Sequence, residues 1–301
     1  MKELAFDDLQ LFARVAELGT LSAVARERDT PVSQVSRSLA RIEKTCGARL
    51  IHRSTHGLSL TPEGAIFLDY CQRLCGTLDE LEGEFASKSR EASGLVRVAV
   101  SSVIAQYQLL PSLQGLVQRH PQLRLALEVS DRLVDMARDG IDIAIRTSVN
   151  LPETAVARRI GTLGRALYAT PGYLASAGTP THPDDLRQHR LITNSAVTQL
   201  NHWPFLSDGK RTVVVADGQL RANDTNMVAS MTLEGLGIAR LSTISAVPLV
   251  RQKRLVPVLA DHIDPQPMPI YAVTAGARHR LPKIKACIDY WADWFKRHGN
   301  A

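Results

Sequence analysis

The stretch RDTPVSQVSRSLARIEKTCG, residues 28–47, decides the fold of the N-terminal part of this chain. Its apolar side chains recur at helical spacing and predict one buried helix face, formed by Val32, Val35, Leu39 and Ile42. Arg37 points directly away from that face, because successive helix residues are rotated by about 100°. The outer face begins with hydroxyl and amide side chains and continues with cationic ones, whereas a merely solvated face usually mixes charge signs. The outer face is therefore a candidate binding surface.

Length and charge are those of an ordinary folded protein with a local basic region. The 301 residues suffice for two or more domains, and 45% of them are hydrophobic. The net charge of +6 permits binding to nucleic acid without requiring it. Residues 32–60 hold five basic and one acidic side chain, whereas residues 63–92 hold three basic and seven acidic ones. Positive charge is therefore concentrated around the quoted helix.

The cysteine pattern and the N-terminus favour the cytoplasm. The four cysteines, Cys46, Cys71, Cys75 and Cys287, show neither a C-x-x-C motif nor metal-ligand spacing. Such a sparse set favours free thiols in a reducing compartment. The first residues lack the apolar core of a signal peptide, and no segment approaches a transmembrane run. We expect a cytoplasmic protein with no metal, no cofactor and no membrane partner.

Two helices are predicted ahead of the quoted one. An amphipathic pattern predicts a helix from Asp7 to Leu18 that ends at Gly19, and Ser22 is the predicted cap of a short helix. A turn at Asp29 follows, and Thr30 is the predicted cap of the quoted helix. A helix, a short helix, a tight turn and a polar-faced helix is the order of a helix-turn-helix.

A hairpin and a long helix are predicted next. Extended pieces at residues 49–52 and 58–60 flank a turn, and Thr61 caps a helix that runs from Pro62 to about residue 87. That helix carries apolar residues at the spacing of a coiled-coil seam: Phe67, Cys71, Leu74, Leu78, Leu81 and Phe85. The seam predicts dimerisation. Packing of the seam against the chain's own core is the alternative.

Beyond residues 91–94, extended apolar segments alternate with helical patterns, which predicts an α/β architecture with mostly parallel sheets. The predicted strands are residues 95–100, 123–129, 141–145, 166–169, 191–193, 237–241 and 268–274. The predicted helices are residues 109–118, 132–138, 225–233, 244–250 and 281–295. Sheets of this kind bind ligands at the carboxyl ends of their strands.

Polar side chains near these strand ends and helix starts are candidate ligand-binding residues: Ser101, Ser102, Arg146, Thr147, Asn194, Asp224 and Thr225, with Trp203 as a wall. Hydroxyl groups, an amide and helix-starting N–H groups are donors, so they favour a small anionic or strongly polar ligand. Capping and turn chemistry explains each polar residue singly. Trp203 is either part of the cleft or part of the core.

Motifs of catalysis are missing from the sequence. There is no G-x-S-x-G or H-E-x-x-H motif, and the nine histidines are scattered. The segment GLGIAR, residues 235–240, follows a predicted helix and precedes a predicted strand, the reverse of what phosphate binding needs. We therefore expect a protein that is not an enzyme. The alternative is a cytoplasmic solute-binding or catalytic α/β protein whose first 90 residues are a docking module.

The sequence resembles the LysR-type transcriptional regulators over essentially its whole length. The most specific N-terminal motifs are VSRSLARIE at residues 35–43 and LSLTPEG at residues 58–64. In the C-terminal part, DRLVDMARDGIDIAIR at residues 131–146 and LEGLGIARLS at residues 233–242 also match. Several long motifs in the right order make a chance match improbable.

This resemblance implies a sequence-specific transcriptional regulator that responds to a small-molecule effector. It implies a winged helix-turn-helix DNA-binding domain over residues 1–61, a dimerisation linker helix over residues 62–92 and an effector-binding domain over residues 93–301. The effector domain would be periplasmic-binding-protein-like, with two Rossmann-like subdomains: subdomain I over about 93–163 and 265–301, and subdomain II over about 164–264. The implied partners are double-stranded DNA with paired half-sites and further copies of the chain, as a homodimer that assembles into a homotetramer.

The predicted DNA contacts lie in the quoted helix and the hairpin: Thr30, Pro31, Ser33, Gln34, Ser36, Arg37, Arg41, Arg53 and His56. Arg37 is the leading candidate, because an arginine bridges guanine O6 and N7 with two hydrogen bonds. The family commonly carries Arg-Thr-Thr-Arg in the wing, whereas this chain has Arg-Ser-Thr-His at residues 53–56. His56 is therefore a weaker, pH-sensitive substitute for the second arginine.

Overall fold

The chain divides into two compact units, Met1–Lys88 and Ser89–Ala301. A computed structural model describes residues 4–54, 57–86, 92–136, 139–147, 155–207, 209–264 and 267–299. The first unit consists of helices and one small hairpin, and the second is built on two five-stranded sheets. Within these ranges, no helix combines the length and the apolar character that a membrane crossing requires.

Three helices share the core of the first unit: α1 (Phe6–Leu18), α2 (Leu21–Glu27) and α3 (Val32–Cys46). Their apolar faces meet in one buried cluster that includes Phe12, Val24 and Leu39. Gly19 ends α1 in the left-handed conformation, with φ 66°, as the sequence predicts. The order of a helix-turn-helix is confirmed.

Three details of these helices differ from the prediction. The cap of α2 is Thr20 rather than Ser22, since the Thr20 hydroxyl accepts a hydrogen bond from the Ala23 N–H at 3.2 Å. The residue before α3 is Pro31 rather than Thr30, so α3 begins without a side-chain cap. Val32 is 44% exposed instead of buried, because it lies in the first turn of α3, beyond the edge of the core.

A hairpin of β1 (Ile51–Ser54) and β2 (Gly57–Leu60) precedes the long helix α4 (Pro62–Ala86). Thr61 joins them: its hydroxyl accepts from the Gly64 N–H at 2.9 Å and donates to the Arg49 carbonyl at 2.7 Å. This joint is buried, and it fixes the first turn of α4 against the base of the hairpin.

The strands of the second unit are β3 (Gly94–Val100), β4 (Leu123–Val129), β5 (Ile143–Thr147), β6 (Ala155–Leu163), β7 (Arg165–Ala169), β8 (Leu191–Asn194), β9 (His202–Ser207), β10 (Lys210–Val215), β11 (Leu220–Ala222), β12 (Ile238–Ser242), β13 (Val256–Val258) and β14 (Met268–Ala275). Its helices are α5 (Ser102–Ile104), α6 (Leu110–Arg119), α7 (Pro171–Ala177), α8 (Thr225–Leu233), α9 (Thr243–Arg251) and α10 (Pro282–His298). A π-helical turn, Ala105–Leu109, joins α5 to α6.

Two sheets organise these elements. The first has the strand order β4-β3-β5-β14-β6, and the second has the order β11-β8-β12-β7-β13, with β9 and β10 as a separate hairpin. We call the part around the first sheet, with α5, α6 and α10, subdomain I. The part from β7 to β13, with α7 to α9, is subdomain II. The chain enters subdomain II after β6 and returns with β14, and the expected two-subdomain α/β fold is confirmed.

The expectation of mostly parallel sheets is wrong. β3 runs parallel to β4 and β5, but β14 is antiparallel to β5 and β6. In subdomain II, β12 is parallel to β8 and antiparallel to β7. The reason is that β14 returns directly from the other subdomain, so no crossover helix turns it parallel to its neighbours.

The helix predicted over residues 132–138 is also wrong. Residues 131–136 form bends and a turn, while residues 137 and 138 lie outside the described ranges. Leu133, which contributes to the apolar pattern, is 83% exposed. Most of the stability of a short helix comes from packing of its apolar face. Because Leu133 packs against no other surface of the described residues, this stabilisation is missing, and the apolar spacing alone does not produce a helix here.

The Thr61 hydroxyl can be tested by removal. Thr61→Ala leaves the Gly64 N–H and the Arg49 carbonyl without their partner, and we expect a loss of about 1–2 kcal/mol in the free energy of unfolding of the first unit. Thr61→Ser keeps the hydroxyl and is the matched control. Urea denaturation, with the first unit followed by hydrogen exchange, measures the effect. Equal losses in both variants would assign the stabilisation to the methyl group instead.

Candidate functional site

α3 has one buried face and one polar face. Val35, Leu39 and Ile42 are buried, whereas Ser33, Gln34 and Arg37 are exposed. The Arg37 Nε–H donates to the Ser33 carbonyl of its own helix at 3.3 Å, and no carboxylate of the described residues pairs with Arg37. The Arg37 guanidinium therefore stands on the surface without a charged partner.

Arg41 lies on the same helix but has a partner within the unit. Its guanidinium contacts the carboxylate of Asp8 at 2.5 Å, and Asp8 is 2% exposed. Asp8 also accepts from the Ala5 N–H at 3.1 Å. A buried carboxylate needs such a partner, so Arg41 holds α3 on α1 as well as lying near the polar face.

The structure describes only some of the other predicted DNA-contact residues. Pro31 is exposed and Thr30 half-buried directly before α3, and Ser36 is half-buried on α3. The backbone of Arg53 lies in β1 opposite Leu58. The Arg53 side chain and His56 lie outside the described residues.

The seam of α4 is divided between two surfaces. Cys71 is fully buried in the core of the first unit, and the Phe67 ring packs edge-on against Phe12 with centroids 4.9 Å apart. Burial also raises the pKa of the Cys71 thiol to about 12, which keeps it protonated. For these two positions the alternative of packing on the chain's own core is therefore correct. Leu78 is half-buried, and the side chains of Leu81 and Phe85 lie outside the described residues.

A different apolar row of α4 is exposed. Ile66, Tyr70 and Leu74 are 62%, 55% and 51% exposed and follow each other at intervals of four residues. Residues four apart lie on the same side of a helix. Of the predicted seam, Leu74 belongs to this row. The prediction of an exposed seam is therefore corrected to a face rotated from Phe67 and Cys71 towards Ile66 and Tyr70.

In the second unit, one carboxylate bridges the two subdomains. Asp131 Oδ1 accepts from the Ser102 N–H at 3.1 Å and lies 3.0 Å from the Ser102 hydroxyl, while Oδ2 accepts from the Thr225 N–H at 2.6 Å. Ser102 begins α5 of subdomain I, and Thr225 begins α8 of subdomain II. Two helix N-termini, each with a partial positive charge, therefore share Asp131.

Further contacts cross the same junction. The Ser102 hydroxyl also hydrogen bonds to Asp224, which caps α8 through the Met227 N–H at 2.8 Å. The Asn226 amide donates to the Gln106 side chain at 2.8 Å. The predicted residues Ser102, Asp224 and Thr225 are thus brought together. Their donors are engaged by side chains of the chain itself.

A narrow cleft lies beside this junction. Its volume is about 450 Å³, part of which is open to solvent. Three of the predicted ligand-binding residues line it: Asn194, Trp203 and Thr225. Trp203 is 1% exposed and belongs both to the core of subdomain II and to the wall of the cleft.

The remaining predicted residues lie elsewhere. Ser101 precedes α5 without making a side-chain cap, and Arg146 and Thr147 end β5. Burial lowers the pKa of Arg146. The lining of the cleft contains none of these three residues.

The cleft is instead lined by two arginines that the sequence analysis missed, Arg165 and Arg240. Arg165 begins β7 opposite Ser242 of β12, and Arg240 lies opposite Leu167. These pairings place Arg165, Arg240 and Ser242 on one face of the sheet. One feature of the sequence could have identified these two arginines. Each is the basic residue of an otherwise largely apolar strand, RALYA for Arg165 and IARLS for Arg240.

Both arginines are held in a poorly solvated place. Burial, and next the like charge of Arg240, lower the pKa of Arg165 to about 10, against the opposing influence of Asp131. Burial also lowers the pKa of Arg240. The Arg240 Nη1 donates to the His202 carbonyl at 3.3 Å, but its Nε is buried without a partner among the described residues. The two guanidinium groups line the cleft, and no carboxylate residue among those that the structure describes is part of the lining, so this wall of the cleft is cationic.

Comparison with known proteins matches both units. Residues 6–65 match the model for a bacterial regulatory helix-turn-helix protein of the lysR family, and residues 89–296 match the LysR substrate binding domain. An HTH-type transcriptional repressor of Pseudomonas aeruginosa (strain UCBPP-PA14) is 30% identical over 94% of this chain and 90% of the relative. The HTH-type transcriptional activator TtdR of Escherichia coli (strain K12) is 25% identical, over 95% and 92% of the two chains.

A solved structure matches over nearly the full length. The Vibrio cholerae virulence activator AphB, described as a member of the LTTR protein family, superimposes with a TM-score of 0.65 at 28% identity. The match covers 97% of this chain and 99% of AphB. The order of the helix-turn-helix, the long helix and the two-subdomain unit is therefore shared with a protein of known structure.

Asp131 offers a test of the bridge between the subdomains. Asp131→Asn retains an oxygen for Ser102 but can place an amide N–H against the Thr225 N–H, so we expect the bond across the junction to be lost. Loss of a charge-assisted hydrogen bond costs about 1.5–3 kcal/mol. Hydrogen exchange at the Thr225 amide should accelerate accordingly. The control is Asn226→Ala, which removes a more exposed contact between the subdomains. Equal acceleration of hydrogen exchange in the two variants would show that Asp131 contributes no more than Asn226 does.

Proposed function

The chain belongs to the LysR family of bacterial transcriptional regulators, and we propose that the exposed face of α3 reads its operator while the cleft of the second unit binds its effector. Family membership gives the chain a helix-turn-helix DNA-binding domain and an effector-binding domain. Members of the family are transcriptional regulators, so we infer that the chain has no catalytic activity. We further infer that it acts in the cytoplasm, where its DNA lies.

The exposed and unpaired guanidinium of Arg37 carries the assignment of α3. A recognition helix needs side chains that reach base edges from a surface free of internal ion pairs. Arg37 meets this requirement beside the exposed Ser33 and Gln34, whereas Arg41 is engaged by Asp8. We propose that Arg37 contacts a base, that Ser33 and Gln34 contact bases or phosphates, and that Arg41, Thr30, Pro31 and Ser36 support the helix on the DNA.

The hairpin completes the interface in this proposal. Arg53 belongs to β1, and His56 follows β1 in the sequence. A winged helix contacts the DNA backbone or the minor groove from such a hairpin. The basic side chains concentrated in residues 32–60 supply a positive field for the same surface. The proposed DNA-binding domain spans residues 1–61, and the linker helix spans residues 62–92.

We propose that copies of the chain pair through α4. Ile66, Tyr70 and Leu74 stay exposed among the described residues, although the Arg73 guanidinium of the same helix lies 5.5 Å from the Tyr70 ring centroid. Exposed apolar rows of this kind mark interfaces. A dimer presents two α3 helices, which requires an operator with paired half-sites. By the resemblance to its family, two dimers then form a homotetramer.

For the effector, we propose that a small molecule alters the equilibrium between open and closed subdomains. The contacts of Asp131 and Asn226 hold the cleft narrow. A ligand that fits one form better than the other shifts the population towards that form. The shift reaches the DNA through the oligomer. The alternative of a docking module on a solute-binding protein is not favoured, because the family matches include both units.

Arg37→Ala tests the recognition helix. The side chain lies away from the core, so we expect folding to be unchanged and specific operator binding to fall by about 1–3 kcal/mol. A gel shift with the DNA upstream of the chain's own gene measures this. Lys44→Ala, which removes an exposed charge from the same helix, should instead weaken specific and non-specific DNA about equally. An unchanged operator affinity of the Arg37 variant would refute the assignment.

Charge placed in the exposed row of α4 tests dimerisation. Tyr70→Lys combined with Leu74→Lys sets like charges against each other across the proposed interface, and light scattering should then report monomers. Ala65→Lys is the control, because Ala65 is also exposed but lies about 100° around the helix from Ile66. If the double variant stays dimeric, the row is not the interface.

A further inference from the structure

We propose that the effector is a small oxyanion, above all a carboxylate, whose charged group binds between Arg165 and Arg240 in subdomain II. This inference rests on the proposed function of the cleft, and it names the chemistry of the ligand and the residues that hold it. It differs from the expectation that the helix-starting residues Ser102 and Thr225 bind the ligand.

The first observation is a set of buried donors without acceptors. The Arg240 Nε, the Asn194 Nδ2 and the Ser242 hydroxyl are buried and have no hydrogen-bond partner among the described residues. Asn194 is 4% exposed, Ser242 is 7% exposed, and all three residues line the cleft. Buried polar groups are nearly always paired, so unpartnered donors that face one cavity point to an acceptor supplied from outside.

The carbonyl side of Asn194 is engaged, which leaves its amino group free. Its Oδ1 accepts from the Ala196 and Val197 N–H groups, each at 2.8 Å. This arrangement fixes the side chain so that Nδ2 is the group left for a ligand. The backbone of Asn194 is held as well, by two hydrogen bonds to Asn201 at 2.9 and 2.8 Å. The donor is thus preorganised rather than mobile.

The second observation is uncompensated positive charge. Arg165 and Arg240 lie on neighbouring strands and the same sheet face, and Asp131 is the carboxylate that acts on Arg165. Bringing two guanidinium groups together out of water is unfavourable, and one carboxylate offsets only part of that cost. A water molecule would satisfy donors but not charge. An oxyanion does both, since its oxygens accept the hydrogen bonds of the guanidinium groups.

The third observation concerns the N-termini of α5 and α8, which are the second place where an anion could bind, and excludes them. The N-termini of α5 and α8 would attract an anion, but the Asp131 carboxylate already accepts from both of them. A ligand carboxylate at that place would meet Asp131 as a like charge. The anionic group is therefore directed to the two arginines.

The walls of the cleft fit the rest of such a molecule. Apolar and aromatic side chains, including Val103, Val228 and Trp203, also line the cleft. A few polar groups in an otherwise apolar cleft are the usual composition of a small-molecule site. The narrow space limits the ligand to a small carbon skeleton unless the subdomains separate.

The test uses the full chain and simple probes. Succinate and inorganic phosphate, each compared with sodium chloride at equal ionic strength, should raise the midpoint of thermal unfolding, while uncharged succinamide should not. Calorimetry then gives the affinity of the more effective probe. Arg165→Gln and Arg240→Gln should each weaken its binding by about ten- to a hundredfold. Arg251→Gln, which removes an exposed arginine at the end of α9, should bind the probe normally.

The ligand-free variants separate a binding role from a structural one. Removal of one of two like charges should leave the thermal midpoint of ligand-free Arg240→Gln unchanged or raised, whereas a structural arginine would lower it. Arg165→Lys keeps the charge without the paired donors and provides a folded variant if Arg165→Gln is unstable. It should bind the probe more weakly than the unaltered chain does.

Two results would overturn the inference. One is that neither oxyanion stabilises the unaltered chain more than chloride does. The other is that binding survives in both glutamine variants but strengthens in Asp131→Asn, which would place the anion at the helix N-termini. Operator binding by the two glutamine variants, measured without a ligand, should stay intact. Failure of the unaltered chain to bind operator DNA would contradict the proposed function, and it would leave the result on the arginines standing.

Discussion

Asp131 accepts hydrogen bonds from the first residue of α5 and from the first residue of α8, and so joins two subdomains that the chain connects only through β6 and β14. This shared carboxylate links the two subdomains beside the cleft. It also settles which donors remain for a ligand, because it occupies both helix N-termini. The arginines of β7 and β12, Arg165 and Arg240, then form the cationic part of the cleft. A regulator built in this way carries an internal carboxylate that hydrogen bonds to both subdomains.

Much of the fold follows from sequence periodicity. The helical spacing in residues 28–47 predicts α3 to within about one residue, and the Thr61 cap follows from the side chain and the proline after it. The strand β4 and the helix α8 have the predicted bounds. The prediction of mostly parallel sheets was wrong. Strand direction depends on the side from which the chain re-enters the sheet, and the local sequence pattern does not contain this information. The strands β6 and β13 were missed for a related reason: each is held in place by its neighbour in the sheet.

The sites were predicted less fully than the fold, and the failures have physical causes. Helical spacing alone does not show which of two adjacent apolar rows of α4 packs against the core of the first unit. The close approach of Gly64 to Leu50 orients α4 so that Phe67 and Cys71 face this core. In the cleft, the hydroxyl groups at strand ends suggested hydrogen-bond donors that are free for a ligand. The structure shows that Asp131 accepts hydrogen bonds from Ser102 and Thr225. This partner was not foreseen, because Asp131 directly precedes the helix that was predicted over residues 132–138. Arg165 and Arg240 are brought together only by the antiparallel register of β7 and β12.

In the proposed regulator, the arrangement of the two subdomains around the cleft controls the binding of operator DNA. The direct measurement is the operator affinity of Asp131→Asn, by fluorescence anisotropy without any added effector, beside that of the unaltered chain. Because Asp131 lies outside the DNA-binding unit, an effect of the variant on operator affinity has to be transmitted from the second unit. We expect a changed operator affinity with unchanged non-specific DNA binding. Superimposable operator isotherms for the two proteins would contradict it.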